Sequence, residues 1–226
     1  MPNNTRKDIR GAIIGMVMGD GSLYRNRLRN LQESGHDKLD IAHSIKQQRY
    51  LAEKRIIVNS LFEYEIPITN KLVTTKGKVY PACKFCTRVH PRLTFIADRC
   101  YENGKKRITP WVIENITDQG LAIWWMDDGH LRLRKGFGGE LIFGLYGFPK
   151  QDVELLQTVI AARYGVEFRL GKNKRMNDKD ANYGWYLRRN LSAGSSFLDQ
   201  LAQYSLGEMN YKFDHSGAFI RGPYRV

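Results

Sequence analysis

The sequence predicts an α+β protein made of two halves that repeat one order of helices and strands. Two apolar runs each end in an aspartate followed by glycine, "IIGMVMGDG" at residues 13–21 and "LAIWWMDDG" at residues 121–129. Strand-like and helix-like segments then follow each run in the same order, which is typical of an internal structural repeat. The basic segment "NGKKRITP" is poor in apolar residues and marks the predicted boundary, so the halves would cover residues 1–103 and 104–226.

The first half continues with four predicted strands and two predicted helices. The segments "SLYRNRLRN" and "KLDIAHSI" alternate apolar with polar or basic residues, as half-buried strands do. The segment "QQRYLAEKRIIVNSLF" has the apolar spacing of an amphipathic helix. Two more strands, "KLVTTKG" and "VYPACKFCTRV", meet at a turn over residues 76–78, and "PRLTFIADRCYE" is a helix with Pro91 in its first turn.

The second half repeats these elements. Strands "HLRLRK" and "ELIFGLYGF" flank a glycine-rich turn, and the helix "KQDVELLQTVIAARYG" is predicted to end at Gly165. Strands near "VEFRLGK" and "YGWYLRRN" precede a last helix, "SAGSSFLDQLAQYSL".

Composition indicates a folded protein with an anionic partner. Lysine and arginine number 36 against 23 acidic residues, a formal net charge of +13. A chain this basic favours nucleic acid as its partner, with an anionic membrane surface as the second choice. Because no stretch approaches the roughly 20 apolar residues that cross a bilayer, we expect no membrane association. The three cysteines indicate reduced thiols in an intracellular setting.

The two apolar runs are predicted to be helices that pack against each other. Each is apolar around nearly its whole circumference, so it must be covered on several sides. Gly15 and Gly19 share one helix face and allow a close approach, which would bring Asp20 and Asp128 together. Neighbouring carboxylates repel, and a hard divalent cation such as Mg²⁺ relieves that repulsion and can polarise a phosphate.

One such motif alone would more often be a buried helix with a polar end and a glycine cap. Two copies, each opening a similar half, favour a shared site.

These residues resemble the LAGLIDADG homing endonucleases in their single-chain, two-motif form. The two nine-residue motifs carry the resemblance, together with "KKRITP", "ITDQGLAIWWMDDG" and "EMNYKFD". The resemblance implies the homing endonuclease fold: two pseudo-symmetric αββαββα halves, motif helices at their interface, and saddle-shaped sheets on DNA. It also implies site-specific hydrolysis of both strands of a long target across the minor groove, leaving short 3′ overhangs. The implied cofactor is Mg²⁺, for which Mn²⁺ or Ca²⁺ would substitute in binding.

The resemblance also implies residue roles. Asp20 and Asp128 would bind the catalytic metals, and Gly15 and Gly19 would occupy small interface positions. Lysines beside such sites support water activation or phosphate charge, and the candidates are Lys212 in "MNYK", Lys106 with its neighbour Lys105, and Lys46.

The second motif departs from the family pattern at two positions. Ile123 stands where a small residue is common, and a bulky residue there is expected to pack against the space left by Gly15 and Gly19. Asp127 stands where alanine is typical. The predicted metal site includes Gly19 and Asp127 beside the two acids, with Asp127 as a supporting or helix-end acid rather than a ligand, because helix neighbours point about 100° apart.

Basic residues at period two predict a DNA-binding sheet face, since residues two apart on a strand share one side. For any one residue, a solvated sheet face is an equally good explanation. The predicted set is Tyr24, Arg25, Arg27, Arg29, Lys71, Lys76, Lys78, Lys84, Arg132, Arg134, Arg169, Lys172, Lys174, Arg188 and Arg189.

The leading hypothesis is therefore a monomeric, Mg²⁺-dependent endonuclease acting on double-stranded DNA. A group I intron maturase, with host intron RNA as partner, would use the same fold without needing both acids. A catalytically silent DNA-binding regulator is the third hypothesis.

Overall fold

Two four-stranded antiparallel sheets and seven α-helices account for most of the described chain. The computed structural model describes residues 5–25, 35–75, 77–134, 138–173 and 182–216, without the side chains of Arg25, Thr75 and Arg134. The α-helices are α1 Arg6–Met18, α2 Gln48–Asn59, α3 Pro91–Cys100, α4 Pro110–Asn115, α5 Asp118–Asp128, α6 Lys150–Tyr164 and α7 Leu191–Ala202. The strands are β1 Ser22–Arg25, β2 Asp37–Ser44, β3 Ile68–Thr75, β4 Lys78–Cys86, β5 Tyr101–Glu102, β6 Lys105–Lys106, β7 Gly129–Arg134, β8 Gly138–Gly144, β9 Arg169–Lys172 and β10 Trp185–Asn190.

The two large sheets have the same topology, which confirms the predicted αββαββα repeat. Their strand orders are β1-β2-β4-β3 and β7-β8-β10-β9. Both apolar motif runs form helices, α1 and α5, and each leads into the edge strand of its own sheet. Because an acid precedes β1 and another precedes β7, this topology places both acids where a helix meets a sheet.

Local sequence signals set several helix ends. Thr5 caps α1 in a reciprocal capping box with Asp8. Pro91 occupies the first turn of α3, as predicted. Gly165 ends α6 with a positive φ of 68°, the left-handed conformation that glycine adopts at little cost.

The segment between the halves is more structured than the sequence predicted. Strands β5 and β6 pair as a short hairpin, and Thr109 caps the short helix α4. The basic segment gave no signal for the hairpin, because a two-residue strand has no measurable periodicity. The division of the halves at 103/104 stays a prediction.

The core lies between the helices and one face of each sheet. Residues along β2 are alternately more and less buried, so its even-numbered side chains face away from the helices. Trp124 and Trp125 of α5 are fully buried, and both rings pack edge-to-face on Phe143 of β8. None of the helices described here is long and apolar enough to cross a membrane.

Candidate active site

Backbone-to-backbone contact of α1 and α5 forms the centre of the molecule. A β-carbon built on Gly15 would lie 1.9 Å from the carbonyl oxygen of Gly120, and one on Gly120 would lie 2.1 Å from that of Gly11. No side chain fits at these points, so the helices touch only because glycine is present. The small partner in α5 is thus Gly120, and the expectation that Ile123 would face Gly15 and Gly19 was wrong.

The C-terminal ends of the two helices meet at the acids. The backbone N–H of Asp20 donates to Oδ2 of Asp127 at 3.1 Å across the interface. A β-carbon on Gly19 would lie 2.3 Å from that same oxygen, so the missing side chain makes room for Asp127. The structure therefore brings Asp20, Asp127 and Asp128 into one cluster at the end of the helix pair.

Asp127 is buried and engaged by several donors. Lys54 Nζ lies 2.7 Å from Oδ1 and 2.8 Å from Oδ2, and the hydroxyl of Tyr50 donates to Oδ1 at 2.7 Å. The side chains of Asp127 and Lys54 are both fully buried. Both oxygens of Asp127 therefore already accept hydrogen bonds, and its role as a supporting acid stays a prediction.

Sequence reasoning missed Lys54 and its neighbour His43. Lys54 Nζ lies 3.1 Å from Nε2 of His43, whose Nδ1 lies 3.5 Å from Oδ2 of Asp20. A signal for both was present. Lys54 falls on the buried stripe of α2 with Tyr50 and Ile57, and His43 follows Leu39 and Ile41 on the buried face of β2. A charged residue on an apolar stripe predicts a buried partner.

The acids repel one another in a poorly solvated site. Burial, followed by the charges of Asp127 and Asp20, raises the pKa of Asp128 to about 7. Burial and the charge of Asp127 also raise the pKa of Asp20. Burial and the charge of Lys54 lower the pKa of His43 to about 4, so this imidazole is neutral at pH 7. A divalent cation beside these carboxylates would stabilise their charged forms and so lower their pKa values.

Two of the four candidate lysines lie beside the acids. Lys106 Nζ donates to the carbonyl oxygen of Gly19 at 2.6 Å, and Lys212 Nζ donates to that of Gly129. Burial lowers the pKa of both, while the carboxylates of Asp20 and Asp128 oppose that shift.

The other two candidates are exposed, and Lys105 lines the same cleft as Asp128. Lys105 is exposed and its Nζ lies 3.3 Å from the hydroxyl of Tyr183. Lys46 is exposed in the 3-10 helix Ile45–Gln47. The first half instead contributes Lys54 to the acid cluster, through its contact with Asp127.

A cleft of about 610 Å³ opens beside Asp128. Gly19, Lys106, Tyr146 and Phe148 are among its lining residues. The cleft thus connects one of the candidate catalytic acids and its lysine to solvent.

The outward face of the first sheet carries several predicted DNA-binding residues. Lys84 lies opposite Ala42 and Thr69, and Lys71 lies opposite Ala82, two residues from Lys84. Directly opposite residues share a face. By the same register the outward face also carries Lys78, Tyr24 and Lys38, the last of which the sequence analysis did not select.

Among the described residues, three of the predicted set lie on the outward face of the second sheet: Arg132, Arg169 and Arg188. Arg132 lies opposite Glu140, and Arg169 lies opposite Arg188. His130, two residues before Arg132, shares this face and was not selected from the sequence.

Arg189 and Lys172 do not extend this face, which corrects the prediction. Arg189 lies opposite the buried Leu141 and packs where α7 covers the sheet. Lys172 lies opposite Trp185 on that helix-covered side, with Nζ 5.1 Å from the ring centre. Arg189 is one residue after Arg188, and Lys172 is three residues after Arg169. Because side chains alternate between the two faces of a strand, an odd separation places each of them on the opposite face from its partner. Arg27, Arg29, Lys76 and Lys174 lie outside the described residues, as do the side chains of Arg25 and Arg134.

The fold and this site define a class. Residues 10–191 match the model of the LAGLIDADG DNA endonuclease family, which covers well over half of the chain, so the protein belongs to that family.

Two kinds of function are represented among the proteins whose sequences are similar to this chain, an endonuclease and a maturase. The chain is 28% identical to a probable intron-encoded endonuclease of Wickerhamomyces canadensis over 72% of its own length and 68% of that protein. It is 24% identical to a cytochrome b mRNA maturase bI2 of Debaryomyces hansenii over 91% of its length and 73% of the maturase.

Solved structures agree with the fold. The homing endonuclease I-WcaI bound to its DNA recognition sequence matches with a TM-score of 0.74 at 23% identity, covering 92% of this chain and 86% of that one. I-DmoI in complex with DNA and Ca matches with a TM-score of 0.53 at 10% identity, covering 90% and 92%.

Proposed function

We propose that this protein is a site-specific endonuclease that hydrolyses both strands of a double-stranded DNA target. One observation carries the proposal: α1 and α5 touch through glycine, Asp128 ends α5, and Asp20 lies two residues beyond the end of α1. An acid from each half therefore belongs to one electrostatically coupled cluster. Family membership and the similarity to endonucleases support it. The finer features, a monomer leaving short 3′ overhangs, follow from the family resemblance and belong to the same proposal.

The donor set suits a hard divalent cation such as Mg²⁺. Such ions take oxygen ligands, and the candidate ligands here are carboxylates. Trp124 Nε1 donates to Oδ2 of Asp128 at 3.1 Å, which leaves Oδ1 for a ligand, and the side chain of Asp20 is 48% exposed. The raised pKa of both acids indicates that added positive charge would be stabilising. When bound, the ion would polarise the scissile phosphate and lower the pKa of a bound water.

The chain's own residues position and balance the charges. Lys106 and Lys212 are held against the carbonyls of Gly19 and Gly129, where their ammonium groups can face a phosphate. Lys84, Lys71, Arg132 and Arg188 would contact DNA along the outward sheet faces. Base-specific contacts on those faces would select the target, and the acids at the helix ends would cut it.

A cleavage-site selection from a random or genomic DNA library with Mg²⁺ tests the proposal. We expect the wild-type protein to cut one long sequence on both strands. Asp20→Asn and Asp128→Asn should each slow cleavage at least about a thousandfold, since lost metal ligation removes several kcal/mol of transition-state stabilisation. Both should bind the target within about threefold of wild type, because phosphate affinity comes from the basic faces.

Glu167→Gln is the matched control, because it neutralises an exposed carboxylate of the second half. The proposal fails if the wild-type protein cuts nothing, or if either Asp→Asn variant cuts at the wild-type rate.

The similarity to a maturase over 91% of the chain makes RNA splicing a second candidate function. Splicing does not require paired acids. If the protein is a maturase, the double variant Asp20→Asn/Asp128→Asn should promote splicing of the host intron as well as the wild type does. If it is only a nuclease, neither the wild type nor the double variant should promote splicing.

A further inference from the structure

The two candidate catalytic acids are held by different residues. The motifs align Gly19 with Asp127 and Met16 with Trp124. Asp128 is fixed from its own helix by Trp124, whose Nε1 donates to Oδ2 at 3.1 Å. Met16 has no comparable donor for Asp20, so the first half needs another way to orient its acid.

Asp127 reaches across the interface and anchors the backbone at Asp20. Its Oδ2 accepts the Asp20 N–H at 3.1 Å, and both of its oxygens accept from Lys54. A fully buried carboxylate is tolerated only when it is paired, and Lys54 supplies that charge from α2 of the first half. The ion pair thus joins α5 of the second half to the acid of the first.

His43 extends the arrangement to the side chain of Asp20. The ammonium of Lys54 can only donate, so His43 Nε2, 3.1 Å away, is the acceptor and the ring proton sits on Nδ1. Nδ1 lies 3.5 Å from Oδ2 of Asp20, an electrostatic contact at the outer limit of hydrogen-bonding distance. Lys54 therefore fixes the tautomer in which His43 can donate to Asp20.

We propose that Lys54, Asp127 and His43 form a one-sided positioning relay that orients Asp20 and leaves Asp128 to Trp124. This inference rests on the proposed endonuclease function. If each acid serves one strand of a pseudo-symmetric target, a defect in the relay slows cleavage of one strand, and a defect at Trp124 slows the other. The side chains of the relay residues are at most 3% exposed, so they act through Asp20.

The test measures the two strand-cleavage rates separately on a target duplex labelled on both strands, with Mg²⁺. His43→Leu removes the N–H directed at Asp20 while keeping the Lys54–Asp127 pair. We expect it to slow one strand about tenfold, the effect of losing one hydrogen bond to a charged group, so that nicked DNA accumulates. His43→Asn places an amide N–H near the position of Nδ1 and should restore most of that rate.

Trp124→Phe is the mirror variant and should slow the opposite strand. A purely structural role for His43 predicts equal slowing of both strands in His43→Leu and no rescue by His43→Asn. That result would overturn the relay while leaving the endonuclease assignment intact. Absence of any cleavage by the wild-type protein would instead refute the proposed function. Thermal unfolding of each variant identifies any that fail to fold, and a comparison of the strand slowed by His43→Leu with the strand slowed by Trp124→Phe then decides the strand preference.

Discussion

Replacing Gly15 by alanine should force the two central helices apart. The added β-carbon would lie 1.9 Å from the carbonyl oxygen of Gly120, where contacts under 3.0 Å are essentially never seen. The helices must therefore separate by about 1 Å or tilt, because the obstacle is backbone and cannot rotate away. Overpacking of this kind costs about 3 kcal/mol, and alanine's better helix propensity offsets about 1 kcal/mol of it. We expect the free energy of unfolding to fall by about 2 kcal/mol.

Urea denaturation of Gly15→Ala, with Gly35→Ala as the control, measures this effect. Among the described residues, no atom lies within 4 Å of a β-carbon built on Gly35, so that variant should unfold like wild type. Strand cleavage should fall more than DNA binding does, because a displacement of about 1 Å between catalytic groups costs about 100-fold in rate. A Gly15→Ala protein that is stabilised by about 1 kcal/mol and cleaves normally would show that the helices do not touch at this point.

Two further predictions follow from the site and the sheets. Because the folded state raises the pKa of Asp128 from 3.8 to about 7, it binds that proton more tightly than the unfolded chain, so metal-free protein should lose stability as pH rises through that range. Denaturation at several pH values should show a flatter slope for Asp128→Asn, and identical slopes would contradict the coupling of Asp128 to its neighbours. Arg188→Ala should weaken target binding and reduce its salt dependence by about one phosphate contact, whereas Arg189→Ala should mainly reduce stability. Binding titrations at several salt concentrations separate the pair, and the reverse pattern would reject the assigned sheet faces.

Much of the fold could be predicted because it depends on local signals. The alternation in "KLDIAHSI", Pro91 at a first helical turn and Gly165 at a helix end each specify nearby geometry, and the structure agrees at all three. The repeated order of elements then predicted the two equivalent sheets. Short elements without periodicity, such as the β5–β6 hairpin, gave no such signal.

The candidate site was predicted only where a motif marks it. Asp20 and Asp128 stand out because each follows an apolar run, and Lys106 and Lys212 were found through resemblance. The sequence predicted less accurately which face of a sheet each basic side chain occupies. Arg188 and Arg189 are equally basic neighbours, and only the pairing of Arg189 with Leu141 shows which of them faces the helices.

By itself, the sequence determined that two apolar helices end in acids, that glycine lines one of them, and that a basic chain surrounds them. Only the tertiary structure decided that Gly120 is the contact point in α5 and that Lys54 neutralises Asp127 while His43 faces Asp20. The physical reason is distance along the chain. Lys54 and Asp127 are 73 residues apart, and no local propensity or period specifies which buried charges will meet when two halves dock.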